Sequence, residues 1–278
     1  MLKRAFDFFL FTSIYIGVCC VVMIYQTFLC FELPAILSYI LFSFFGTLCS
    51  YNFHWYFTPS LYGHSQKAAW SYKNKTLHAA LFILGVLGAV YFGYQLLRHW
   101  EWLLATAFIT FLYSAPKIPL KPFNWLKHIA IGKTIFLAYS WTHITAFLPI
   151  ELSGTPWNMS YYLFVINRFF LIYPICILFD LRDKENDKKE GIRSMITDFD
   201  NIGVSIVFWG SVFVFFITTL ALSWAGLPHT MVLILSLPGL VLSFIYRYSQ
   251  RNLSDYYYYF ILDGLMMLSG LLILFMQF

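Results

Sequence analysis

Nine apolar runs follow one another along this chain, with only short polar connectors between most of them. They cover residues 8–31, 34–58, 77–97, 100–114, 128–149, 160–180, 202–225, 229–247 and 256–277. About 20 helical residues cross the hydrocarbon of a bilayer, and all the runs but 100–114 come near or exceed that. Backbone groups left unsatisfied cannot face lipid, so these runs read as helices. The short run reaches only about 21 Å at 1.5 Å per residue; tilt, or the chain around Pro116, has to supply the rest. With 60% hydrophobic and 11% charged residues, the chain is far from the ~25% charge of soluble domains. The expected class is an all-α polytopic transmembrane bundle of about nine helices, one domain over residues 1–278 without repeat or linker.

The placement of Lys and Arg supports that count. With the N-terminus inside, 16 of the 18 Lys and Arg residues fall on one side, as the positive-inside rule requires. Arg98 alone lies in an outer loop, and Arg168 lies within a span. A miscounted span would destroy this alternation. The expectation is therefore an integral protein of the cell (inner) membrane, N-terminus cytoplasmic and C-terminus outside. The N-terminal run is longer than a signal-peptide core and lacks a small-residue cleavage site, so it reads as the first helix. The basic residues lie between apolar segments and not on one soluble face, so no nucleic-acid partner is expected; the bilayer is the expected surrounding, and protein partners are not legible. Cys19, Cys20, Cys30, Cys49 and Cys176 sit in apolar stretches without a CxxC and read as small core or lipid-facing residues.

Three polar stretches stand out. Asp180, Asp183 and Asp187 are spaced i, i+3, i+7 at the cytoplasmic end of the sixth span, which puts them on one face if the helix continues. Carboxylates so arranged repel each other unless a hard cation lies among them, and Mg²⁺ prefers such oxygen ligands and is commonly shared with phosphates. Arg182, Lys184, Lys188, Lys189 and Arg193 surround them and could neutralise the carboxylates or hold a diphosphate. A solvated charged loop would look the same by composition. The second stretch is the proline-stiffened basic loop 112–122, with Lys117 and Lys121. The third is 50–56, where Asn52 and His54 stand near membrane depth, a place where polar groups are partnered or functional. Arg168 and Asn167 in the sixth span and Asp263 in the ninth should face the bundle interior, and Arg168 with Asp263 forms a plausible pair. His143 reads as a satisfied core histidine, with a cavity-lining role as the alternative.

The run Asp180-Leu-Arg-Asp183-x-x-x-Asp187-x-x-x-Gly191-Ile-Arg-Ser resembles the second Asp-rich motif of the UbiA-type intramembrane prenyltransferases. Tyr113-Ser-Ala-Pro-x-x-x-Leu-Lys121 is similar to that family's Tyr-Ser loop between spans four and five. The resemblance extends to the whole chain in topology and to short stretches in motif. It implies transfer of an isoprenoid chain from a prenyl diphosphate to a small, often aromatic acceptor, as in quinone biosynthesis. Mg²⁺ (or Mn²⁺) would assist ionisation of the diphosphate in a site facing the cytoplasm. By matching positions, Asp183 and Asp187, with Asp180 alongside, would be metal ligands. Lys121 and Arg193 would hold diphosphate oxygens, Tyr113 would stand near the reacting end, and Asn52, His54 and Arg182 would contact substrate.

The first motif of that family reads Asn-x-x-x-Asp-x-x-x-Asp, and here Asn52 is followed by Tyr56 and Ser60. No acidic residue lies between Glu32 and Glu101. Either the second motif holds metal alone, or His54 or His64 substitutes with a softer metal, or the chain has lost catalysis and serves as a prenyl-lipid-binding or scaffold protein. A transporter with Arg168 and Asp263 along a pathway is a further alternative, but it leaves the clustered aspartates unexplained.

Overall fold

The computed structural model describes residues 1–58, 65–114, 133–189 and 195–276, and among these there are helices and no strand. In chain order they are α1 (Leu2–Phe11), α2 (Ile14–Cys30), α3 (Leu37–Phe57), α4 (Gln66–Lys73), α5 (Lys75–Tyr94), α6 (Trp100–Ser114), α7 (Lys133–Thr142), α8 (Leu148–Leu152), α9 (Met159–Lys189), α10 (Met195–Asp198), α11 (Asn201–Trp224), α12 (His229–Ser249) and α13 (Asp263–Met276). Wide π-type turns at His143–Phe147 and Tyr257–Leu262 join α7 to α8 and lead into α13. Each of the nine expected spans thus has a helical counterpart among the described residues. Among the described residues, five helices are long and apolar enough to cross a membrane, and the bent pair α1–α2 is a sixth candidate. The short fourth run stays short, as the 15 residues of α6.

The first span is not one rod. The chain turns by 63° between α1 and α2, at Ser13, whose φ of +66° is left-handed. Such a conformation costs a residue with a Cβ about 1–2 kcal/mol, so neighbouring groups must hold it. The carbonyl of Thr12 accepts a hydrogen bond from Asn52 Nδ2 at 3.0 Å, and the Thr12 hydroxyl donates to the Phe8 carbonyl at 2.6 Å. The third element begins at Leu37, after an extended Ile36. The sixth span runs past its apolar part to Lys189, so the aspartate motif is helical through Asp187.

Both π turns serve as attachment points. A widened turn leaves carbonyls without an intrahelical donor, and other helices supply one. Thr27 of α2 donates to the Thr145 carbonyl and Tyr39 of α3 to the Ile144 carbonyl, each at 2.6 Å. Tyr15 donates to the Phe260 carbonyl at 2.8 Å. These bonds fix α2 and α3 against the π turn after α7 and the one before α13. Asn167 clamps α9 to α11, donating to the Phe215 carbonyl at 3.0 Å and to Thr219 Oγ1 at 2.7 Å.

Helices α3 and α5 approach so closely that glycine is required. A Cβ on Gly85 would stand 2.6 Å from the Cys49 backbone nitrogen. The opposite face of α5 carries exposed Ile83, Leu87, Val90 and Tyr91, the surface for lipid. The five cysteines are free, four of them buried.

Gly85→Val should therefore force α3 and α5 apart and lower stability by about 1–3 kcal/mol. Gly210→Ala, where a Cβ meets nothing within 4 Å, should leave stability unchanged or raise it by up to ~1 kcal/mol. Thermal unfolding of both variants in detergent measures the contrast.

Candidate functional site

One end of the bundle gathers the ends of α3 and α9, the start of α4 and the chain just before α13. Its centre is Arg182. The side chain is 8% exposed, and burying a charge is tolerable only with partners. Nε lies 2.9 Å from Asp183 Oδ1, and Nη2 donates to the Tyr259 hydroxyl at 2.8 Å. Nη1 is 3.6 Å from Asp255 Oδ1. The guanidinium also stands 4.6 and 4.8 Å from the ring centres of Tyr258 and Tyr259, within cation–π range.

Asp255 in turn receives Ser65 Oγ at 3.0 Å and the Lys67 backbone N–H at 2.7 Å. Ser65 also caps α4 by accepting from the Ala68 N–H. This anchors Lys67, which is 3% exposed. Its ammonium lies 4.1 Å over the Tyr259 ring and 4.7 Å over that of Trp55. Burial pushes the Lys67 pKa below its usual value, with Asp263 and Asp255 partly offsetting the effect. Sequence reasoning counted Lys67 among the topology-setting lysines and passed over Asp255. The one available signal was a carboxylate opening the aromatic run 256–260.

The aspartates of α9 do not share one partner. Asp180, 7% exposed, accepts a hydrogen bond from Thr134 at the start of α7, while Asp183 is held by Arg182. Lys121 and Arg193 lie outside the described residues, as do the side chains of Tyr113 and Asp187 and all of Ser60 and His64. Among the described residues, no group of three or more His, Cys, Asp or Glu comes together as a metal site. Asp180 and Asp183 on successive turns nevertheless offer the hard oxygen chemistry that suits Mg²⁺. The α3 side offers no carboxylate: Tyr56 is exposed and turned toward Lys75, whose ammonium is 5.7 Å from its ring. A cation would rest on the α9 side.

Asn52 is fully buried and its amide is engaged by protein. Besides Thr12, its Nδ2 donates to the Leu48 carbonyl at 2.8 Å, and Oδ1 is 2.7 Å from His78 Nδ1. It ties the α1–α2 bend to α3 and α5. His54 is partly buried, with its ring against that of Trp55.

Two expectations about membrane-depth groups resolve differently. Arg168 does not pair with Asp263. Its Nη2 donates to Gln26 Oε1 at 2.9 Å, and Gln26 donates to Ser269 at 2.9 Å. Asp263 instead lies within electrostatic reach of Lys67 and Arg182. The separation follows from helix geometry, since 14 residues on α9 place Arg168 about 21 Å from Arg182. His143 is a core histidine, buried between Tyr139 and Phe147 and 3.3 Å from the Thr106 hydroxyl.

An apolar cavity of about 470 Å³ lies between α3, α5, α6 and α7, walled by Phe42, Val86, Leu103, Leu137, Trp141 and Ile144. Its α3 wall includes Thr47 and Tyr51. Trp55, which touches Lys67, is one helical turn further on. The cavity and the polar cluster thus lie one above the other along α3.

The model of the UbiA prenyltransferase family matches residues 71–262. No match is found among curated proteins. A UbiA homolog from Archaeoglobus fulgidus, solved bound to GPP and Mg²⁺, is similar in structure with a TM-score of 0.67 at 14% identity, covering 96% of this chain and 99% of that one. A UbiA homolog from the same organism bound to Cd²⁺ gives 0.64 at 16% identity, with 96% and 98% covered. At these identities the likeness shows the fold.

Since the folded state lowers the Lys67 pKa, the folded chain gives up this proton first as pH rises. From the lowered value up to the ordinary 10.5, the unfolded chain binds more protons, so this group's contribution to stability rises with pH. Thermal unfolding across that window should show the rise in the native protein and a flatter profile in Lys67→Met. Equal slopes would contradict the burial of a strained ammonium.

Proposed function

The chain belongs to the UbiA prenyltransferase family, and from that premise we propose that it moves an isoprenoid chain from a prenyl diphosphate to a small acceptor within the membrane. The observation that carries this reading is the continuity of α9. It brings Asp180 and Asp183 on successive turns to a polar end holding Arg182 and Lys67, with an apolar cavity beneath. A polar head and an apolar tail are the two halves of a prenyl diphosphate. The solved homolog bound to GPP and Mg²⁺ supports the same pairing.

In this reading the tail lies in the cavity and the diphosphate at the polar end. Asp183 and Asp187, with Asp180 beside them, would hold Mg²⁺ or Mn²⁺, which when bound withdraws charge from the diphosphate. Arg182 keeps Asp183 oriented. Lys121 and Arg193 take diphosphate oxygens by charge-assisted hydrogen bonds, and Asn52 and His54 shape the α3 side. The bond from C1 to the bridging oxygen breaks, its electron pair leaves with pyrophosphate, and the acceptor attacks C1 and gives up a proton. Tyr113 stands near the reacting end. The aromatic walls exclude water and attract the allylic cation through their ring faces. The acceptor is small, of the aromatic type found in quinone biosynthesis. The site faces the cytoplasm of a cell (inner) membrane, with the N-terminus on that side and the C-terminus outside, as the basic loops indicate.

One observation favours a second reading. Arg182 already neutralises Asp183, and Tyr56 and Ser60 replace carboxylates, which suits a catalytically silent protein that binds prenyl lipid or acts as a scaffold.

Geranyl diphosphate with Mg²⁺ should stabilise the purified protein, by about 2.7 kcal/mol when ligand is present at 100 times its Kd. Asp187→Asn should lose most of this gain. Melting curves unchanged by the ligand in both proteins would overturn the diphosphate site.

A further inference from the structure

Beside α9 lies a groove of about 730 Å³, bounded by the start of α11 and the end of α12. It is amphipathic in a specific way. Ile202, Ile206 and Trp209 of α11, spaced i, i+4, i+7, line one wall and are 70%, 67% and 44% exposed. They form one stripe on a helix long and apolar enough to cross the bilayer, so the wall faces lipid. Leu253, 60% exposed, closes the rim.

The other wall is polar, and its hydroxyls are spent on each other. Ser205 pairs with Tyr246 at 2.7 Å and Ser249 with Tyr257 at 2.6 Å. The Asp200 carboxylate caps the Gly203 N–H at 2.7 Å. One cation of the groove is not spent. Lys184 lines the groove and has no hydrogen-bond or ion-pair partner among the described residues. Arg182 also lines it, but its guanidinium is committed to Asp183, Tyr259 and Asp255. An unmatched ammonium beside an open apolar wall calls for an anion with an apolar tail.

We propose that this groove binds an anionic phospholipid of the surrounding bilayer. The phosphate lies against Lys184, and an acyl chain runs along Ile202, Ile206 and Trp209. Exposed Arg247 and Arg251 at the end of α12 add positive potential at the same level of the membrane. The site is separate from the apolar cavity between α3, α5, α6 and α7, and it holds whether or not the protein turns over a prenyl diphosphate.

The test is lipid retention by the full chain purified in detergent, read by native mass spectrometry with phosphatidylglycerol and phosphatidylcholine of identical acyl chains. The native protein should retain phosphatidylglycerol about fivefold better, the factor that ~1 kcal/mol per surface cation gives. Lys184→Met should bring the two lipids near parity, and Lys184→Arg should keep the preference. Equal retention by the native protein, or a preference that survives in Lys184→Met, would overturn the proposal. So would displacement of phosphatidylglycerol by added geranyl diphosphate, which would assign the groove to prenyl diphosphate instead.

Discussion

The polar end of this molecule depends on the burial of one guanidinium. Arg182 leaves water with a carboxylate on its own helix, a tyrosine hydroxyl and a second carboxylate from the chain before α13. Removing a partner from such a group strands a buried charge, at a cost of about 3–5 kcal/mol. The arrangement therefore fixes more than Arg182. Asp255 also holds the Lys67 N–H and Ser65, so the start of α4, the end of α9 and the approach to α13 are bound into one unit. Asp183 can be presented in a defined orientation only because Arg182 is immobilised first.

The opposite wall is fixed by neutral bonds. Asn52 takes the Thr12 carbonyl where α1 turns into α2, and meets His78 on α5. Its side chain resolves a local backbone problem at the left-handed Ser13, and this bond joins three helices. The π turns do the same elsewhere, trading intrahelical bonds for Thr27, Tyr39 and Tyr15. A membrane bundle gains little from hydrophobic association between helices, so this chain relies on carbonyls deliberately left open and on close contacts such as Gly85 against Cys49.

The spans were readable because length and hydropathy act locally, and the side on which Lys and Arg fall constrains their number. The i, i+3, i+7 spacing put the aspartates on one face provided the helix continued, and α9 does continue through them. The bend at Ser13 was not, because it depends on a hydrogen bond from Asn52, 40 residues away. Arg168 was assigned a carboxylate by charge logic, yet a neutral Gln26 stands opposite it; sequence gives the need for a partner but not its depth along the helix. Lys67 read as a loop lysine because its burial comes from Trp55 and Tyr259, which lie 12 residues before it and 192 after it. The groove beside Lys184 was equally invisible, being formed by the ends of three helices.

The central claim is that carboxylates on α9 alone, without a first acidic motif, suffice for diphosphate chemistry. Release of pyrophosphate from geranyl and farnesyl diphosphate by the purified protein tests it most directly, with Mg²⁺, with Mn²⁺ and with EDTA, in the presence of aromatic acceptors and beside Asp183→Ala. The account predicts release that needs the metal and is lost in the variant. No release from either substrate by demonstrably folded protein would contradict it, and Tyr56 and Ser60 would then mark a binding protein that has given up catalysis.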